Sequence, residues 1–211
     1  MKNSFIEAIA RRRSYYHLED KTLMDDSRVV ELVDELLATM PSPFNVQSAR
    51  VVLLFGDHHR EVWQLVVEAL RNILPEERFI LSKQKIERSF ASGHGTVLFY
   101  EDTAALNHLR ENNPLYADSV EIWSEQSSGM LQFAMWTALE EFGYGVSLQH
   151  YNTLIEYSIV ERWHINPDWR LIAQMPFGAP MDTPPQREQN SSPQSRRVVF
   201  GTLEEVKIKK K

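Results

Sequence analysis

Apolar positions recur at helical spacing from the first residues onward. Phe5, Ile6 and Ile9 share one face and predict a helix over residues 3–13 that ends in a basic cluster. Val29, Val30, Leu32, Val33, Leu36 and Leu37 repeat the pattern. Asp25 or Asp26 can cap this second helix, and Pro41 and Pro43 stop it. The period then changes. Arg50 to Phe55 is a short β-branched and aliphatic run closed by Gly56, which predicts a buried strand. Asp57 is read as the cap of a third helix bearing Val62, Leu65, Val66, Ala69, Leu70 and Ile73, with His58 and His59 at its solvated start.

A charged helical stretch follows, and Gly93-His94-Gly95 introduces a strand over Thr96 to Tyr100. Ile122 to Phe142 is the most apolar helix of the chain. Apolar residues all round it predict a buried central position, with Trp123, Phe133 and Trp136 in the core. Gly143-Tyr144-Gly145 ends that helix before a short strand near Val146 to Leu148. Another helix and a strand at Arg170 to Gln174 come next. Residues 178–195 turn to proline, serine and glutamine and read as an extended arm. Beyond it, Arg197 to Phe200 is strand-like and needs a partner on its own sheet or on another subunit's. Strands alternating with helices give one α/β or α+β domain over residues 1–200, followed by a charged tail at 201–211.

Composition narrows the class. The 211 residues suit one domain, and 43% hydrophobic with 25% charged residues is the balance of a soluble globular protein. The chain has no cysteine, which excludes disulfides, thiolate metal sites and cysteine nucleophiles. A net charge of −6 argues against nucleic acid as a partner. The N-terminal residues lack the apolar core of a signal peptide, and no apolar run reaches the roughly 18 residues of a membrane helix. A soluble, cytoplasmic protein without a membrane partner is the expectation.

Three segments could carry chemistry. Arg11-Arg12-Arg13-Ser14 offers guanidinium forks and a hydroxyl that suit a phosphate, although a solvated basic helix end would look the same. Pro41 to Ser48 contains Asn45 and Gln47, whose paired donors and acceptors match the edge of a flavin or a base, or simply serve a turn. Ser147 to Asn152 leaves a strand with a dense polar set that includes Gln149 and His150. No Gly-rich dinucleotide fingerprint, phosphate loop or nucleophile elbow is present, so a nicotinamide would be a transient visitor.

Taken in order, these segments resemble the nitroreductase family, and within it the short fatty-acid-repression and copper-induced branch. The resemblance rests on Arg12 to Leu18, Pro41 to Ser48, Gly93 to Asp102, Trp123 to Phe133 with Leu139-Glu140-Glu141, Ser147 to Asn152, and Ala173 to Gly178. It implies an α+β FMN-binding fold, a central mixed sheet flanked by helices, and a domain-swapped homodimer with flavin at the interface. It also implies that NADH or NADPH passes a hydride to FMN, after which a nitroaromatic or quinone-type acceptor takes its place in a ping-pong cycle. The protein positions the cofactor that does this chemistry.

By the same resemblance Arg12 and Ser14 would hold the FMN phosphate or ribityl end, with Arg13 near the ring. Tyr16 stands where many relatives have a basic residue. Asn45 and Gln47 would reach the flavin from the other subunit, and Gln149 and His150 would lie over the ring with backbone donors. Arg196 or Arg197 would complete the phosphate site, and Lys83 and Lys85 are the candidates for the family's mid-chain basic position. A flavin-binding regulator of redox or lipid responses, with little turnover, would need the same motifs.

Overall fold

In the computed structural model, which describes residues 4–199, two apolar cores lie on opposite faces of one sheet. Strands β1 (Leu18–Glu19), β2 (Ala49–Phe55), β3 (Gly95–Asp102) and β5 (Trp169–Pro180) follow the order β1-β5-β3-β2, and β4 (Gly145–Val146) also pairs with β5. Strand β3 is buried on both faces. Its Val97 and Phe99 enter one core and its Leu98 and Tyr100 enter the other, as the two-residue period of a strand requires.

Helix α2 (Asp26–Thr39) lays Val29, Leu32 and Val33 on the first core, alongside α6 (Val120–Glu141). Helices α3 (Gly56–Arg71), α4 (Glu76–Ser89) and α7 (Asn152–Trp163) cover the second core. Trp63 of α3 is fully buried there, and a side chain of that size stabilises the fold by roughly 2–3 kcal/mol through the area it removes from water. Helices α1 (Ser4–Arg11) and α5 (Thr103–Asn112) complete the set. No helix among the described residues is long and apolar enough to cross a membrane.

Several expectations change. The expected mixed sheet is antiparallel at every ladder among the described residues. The reason lies in the excursions between strands. Phe55 pairs with Gly95 and Asp102 with Trp169, so each helical excursion returns the chain to the sheet end it left. Asp57 is not a cap, because α3 already begins at Gly56 and the capping position falls on Phe55. His59 is buried rather than solvated, and its Nδ1 lies 2.8 Å from the Thr96 hydroxyl. The strand expected at 170–174 extends through Pro180, taking the first residues of the predicted arm.

Helix α6 departs most from its sequence reading. Its buried face carries Ser124, Ser127, Ser128 and Gln132 beside Leu131, Met135 and Leu139, while Ile122, Met130 and Phe133 are exposed. Trp123 and Trp136 are half-buried, so none of the three aromatic residues assigned to the core is fully enclosed. Arg197 to Val199 form no strand, since no edge of the chain's own sheet pairs with them, and Phe200 and the lysine tail lie outside the described residues.

Candidate cofactor site

Helix α1 ends at Arg11, and the chain then runs beside α6 and β4. The Tyr15 N–H donates to the Val146 carbonyl at 2.9 Å, which brings the basic motif alongside the strand that leads into Leu148. Gly145 makes this approach possible: a Cβ there would lie 3.0 Å from the Tyr15 Cβ and 2.8 Å from Leu18.

Arg12 lies over the Trp136 ring, 4.3 Å from its centroid. Its Nη1 is buried and bonds no protein atom among the described residues. Burial pulls the guanidinium below its ordinary pKa, and Glu140 acts against that pull. Arg12 opens on a cleft of about 310 Å³ lined by Gly129, Gln132, Phe133, Trp136 and Leu148. An arginine nitrogen desolvated without an acceptor beside an open cleft calls for an anion. The donor set therefore fits the terminal phosphate of FMN.

Glu140 belongs to the quoted Leu139-Glu140-Glu141 motif, but the sequence assigns it no place in the site. Both its oxygens accept the Arg13 N–H at 3.0 Å, and Oε1 also accepts the Trp136 Nε1–H at 2.7 Å. Burial pushes its carboxyl up to about 7, against the Arg13 N–H, the Trp136 N–H and the charges of Arg12 and Arg13. The Arg13 guanidinium does not enter the cleft but donates to the Pro185 carbonyl of the arm. Arg187, another arm residue, donates to the Arg12 carbonyl at 2.6 Å. Ser14 is half-buried beside this motif, and Tyr16 is exposed with the Lys85 ammonium 5.8 Å from its ring. Of the two lysine candidates, Lys85 thus reaches the motif, whereas Lys83 pairs with Glu87 at 3.6 Å.

The Gln149 N–H is already spent on the Gln174 carbonyl at 2.7 Å, and the Gln174 N–H returns a bond to the Gln149 carbonyl at 2.9 Å. Gln149 therefore has no backbone donor to offer a ring, and the side-chain amide instead donates to Ser147 at 3.1 Å. His150 is exposed, and its N–H has no protein acceptor among the described residues. That leaves His150 as the backbone donor of this pair, adjoining the cleft through Leu148.

Asn45 and Gln47 sit on a loop of unusual backbone. Phe44, Asn45 and Gln47 have φ of 50°, 53° and 50°, a region that residues with a Cβ seldom adopt. The Ser42 hydroxyl accepts the Gln47 N–H at 2.9 Å, and Arg50 donates to the Gln47 carbonyl at 2.8 Å. At the root of the loop, buried Ser48 donates to Glu101 at 2.5 Å. Burial pushes the Glu101 carboxyl up to about 7, with Ser48 and Arg170 acting the other way. Phe44 packs against Tyr116 and Trp123 with centroids 5.7 and 6.1 Å away.

Gln47 lines a separate cleft of about 640 Å³ with Ser42, Arg50, Ser127, Leu131 and Trp169. No lining residue is common to this cleft and the one at Arg12. One chain therefore joins Arg12 and Leu148 at one cleft, with His150 two residues further along the chain, and Gln47 lines the other cleft. Arg196 and Arg197 are exposed at a short 3-10 turn and bond nothing in the Arg12 cluster; Arg187 is the arm arginine found there.

Comparison with known proteins covers most of the chain. The sequence model of the Nitroreductase family matches residues 9–179. The nitroreductase FRM2 of Saccharomyces cerevisiae is 29% identical over 87% of this chain and 92% of its own. The nitroreductase CinD of Lactococcus lactis, solved in complex with chloramphenicol, superposes with a TM-score of 0.83. It is 33% identical, and the match covers 93% of this chain and all of that one. A nitroreductase with bound FMN from Desulfitobacterium hafniense shares the fold at a TM-score of 0.68 and 14% identity, over 96% of this chain and 100% of its own.

Proposed function

The chain belongs to the nitroreductase family, and from that premise we propose that it is an FMN-dependent oxidoreductase. It takes a hydride from NADH or NADPH and reduces nitroaromatic or quinone-type acceptors. The buried, unpartnered Nη1 of Arg12 at an open cleft is the observation that carries this reading. FMN is favoured over FAD because the chain offers one terminal-phosphate site and no dinucleotide fingerprint.

Bound FMN would supply the two-electron carrier; the protein supplies binding and orientation. Arg12 holds the phosphate by charge, with Ser14 adding a hydroxyl. The His150 N–H donates to the ring, and the Gln149–Gln174 backbone pair fixes where that donor stands. Asn45 and Gln47 address the ring from a second chain, and Arg196 or Arg197 adds charge at the phosphate. The exposed apolar face of α6, with Ile122, Met130 and Phe133, supports pairing with a second copy.

The visible spectrum of the purified protein tests the cofactor: flavin bands are expected, and heat should release FMN. Initial rates at several donor and acceptor concentrations test the cycle, with parallel double-reciprocal lines expected for one pocket serving both substrates in turn. Intersecting lines would exclude that cycle. Flavin bands without acceptor-dependent NAD(P)H oxidation would favour a regulatory flavoprotein instead.

A further inference from the structure

Trp136 and Glu140 are four residues apart on α6, so their side chains meet on one face of the helix. The Trp136 Nε1–H donates to Glu140 Oε1 at 2.7 Å and also points at the Arg13 carbonyl, 3.2 Å away. Arg13 in turn gives its N–H to both carboxyl oxygens. One carboxyl thus ties the edge of an indole ring to the backbone of the basic motif. The face of that ring carries the Arg12 guanidinium at 4.3 Å.

We propose that Glu140 is the positioning residue of the cofactor site: it fixes Trp136 and the Arg13 backbone so that Arg12 is held toward the cleft for the phosphate of FMN. This rests on the FMN reading above. Glu140 is not itself among the residues that line the cleft, so it acts through Trp136 and Arg12. A helix-surface glutamate with no role would lie in water. Here burial pushes the carboxyl up to about 7, a cost that the Arg13 and Trp136 N–H groups donated to it offset. A neutral group can keep part of this role, because a side-chain carbonyl still accepts from Trp136 or Arg13.

The test is FMN titration of the flavin-free full-length protein by flavin fluorescence, with thermal melts run alongside. Glu140→Ala should weaken FMN binding by about tenfold, and Glu140→Gln should stay within about threefold of wild type. In an Arg12→Ala background, adding Glu140→Ala should change the affinity by less than about twofold, because the two residues act on one contact. A purely structural Glu140 would lower the melting temperature and leave FMN affinity unchanged, which overturns the proposal. An undiminished loss in the Arg12→Ala background overturns it as well. Should Glu140→Ala not fold, Trp136→Phe keeps a ring under Arg12 but removes the N–H that Glu140 accepts, and the same loss is expected. Failure of the wild-type chain to bind FMN would sink the FMN reading together with this inference, whereas wild-type binding with unresponsive variants sinks the inference alone.

Discussion

The Gln174 side-chain amide donates to the Asn152 side-chain oxygen at 2.6 Å, while the Gln174 oxygen accepts the Tyr151 N–H at 2.7 Å. Asn152 passes the connection on by donating to the Ile172 carbonyl at 2.6 Å. Each amide orientation follows from its partners, since a backbone N–H requires oxygen and a backbone carbonyl requires nitrogen. Gln174 is fully buried on β5, and its backbone pairs with Gln149. The segment carrying Gln149 and His150 is therefore clamped to the sheet by main chain and side chains together.

Gln174→Leu keeps the volume but leaves the Tyr151 N–H and the Asn152 oxygen without partners. Two such groups should cost roughly 2–4 kcal/mol of stability, measured by chemical denaturation. A loss below about 0.5 kcal/mol, the range of an ordinary surface change, would mean that the clamp contributes nothing.

Arg12→Ala removes the charged contact at the cleft. FMN affinity should fall about ten- to a hundredfold, equivalent to about 1.5–3 kcal/mol. The fold should survive, because the buried Nη1 bonds no protein atom among the described residues. Unchanged affinity on titration would show that the arginine serves only its stack on Trp136.

His59 should govern stability at mildly acid pH. Burial pulls its imidazole from 6.5 down to about 4, so the unfolded chain takes up a proton that the folded chain refuses between those values. Its contribution is complete above pH 6.5 and is lost as pH falls toward 4, a change of about 3 kcal/mol. Glu101 and Glu140 act in the opposite sense. Burial raises each from 4.5 to about 7, so their contribution is complete below 4.5 and is lost as pH rises through 7. His59→Gln isolates the histidine, since its amide oxygen can still accept from Thr96. The stability difference between wild type and variant should shrink from pH 7 to pH 4, and a difference independent of pH would contradict the assignment.

The helices and strands are legible because their signals are local: α2 and α3 follow from helical spacing, and β2 and β3 from short apolar runs bounded by glycine. What lay beyond spacing was what each element faces. The apolar residues around α6 read as burial, yet Met130 and Phe133 face outward while Ser127 and Gln132 face inward. His59 reads as solvated beside His58 because nothing in the sequence announces Thr96, 37 residues away, as its partner. Arg12 and His150 are candidates that a local motif announces, whereas Glu140 and Arg187 reach the motif from 127 and 175 residues away, and pairings of that range leave no local signal. The resemblance points to Arg196 or Arg197, but a resemblance in a divergent tail does not say which arm arginine meets the motif, and Arg187 does so in this chain.

The last prediction is a composite site in a homodimer. Within one chain the loop bearing Asn45 and Gln47 and the cleft at Arg12 share no lining residue, so a ring held at Arg12 needs that loop from elsewhere. Of the exposed apolar positions of α6, Phe133 lines the same cleft. A second copy docked on this face would cover them and deliver its own loop. Three positive φ values in that loop fit a segment held for a purpose its own chain does not supply. Homodimers of Asn45→Ala/Gln47→Ala chains and homodimers of Arg12→Ala chains should each carry two damaged sites. A mixed dimer pairs one intact site with one doubly damaged site. Random mixing makes half of the dimers mixed, each with half its sites intact, so activity should recover to about a quarter of wild type under isologous symmetry. Distinguishable tags establish that mixed dimers have formed before rates are read. Confirmed mixed dimers without activity, or an active wild-type monomer by light scattering, would refute the composite site.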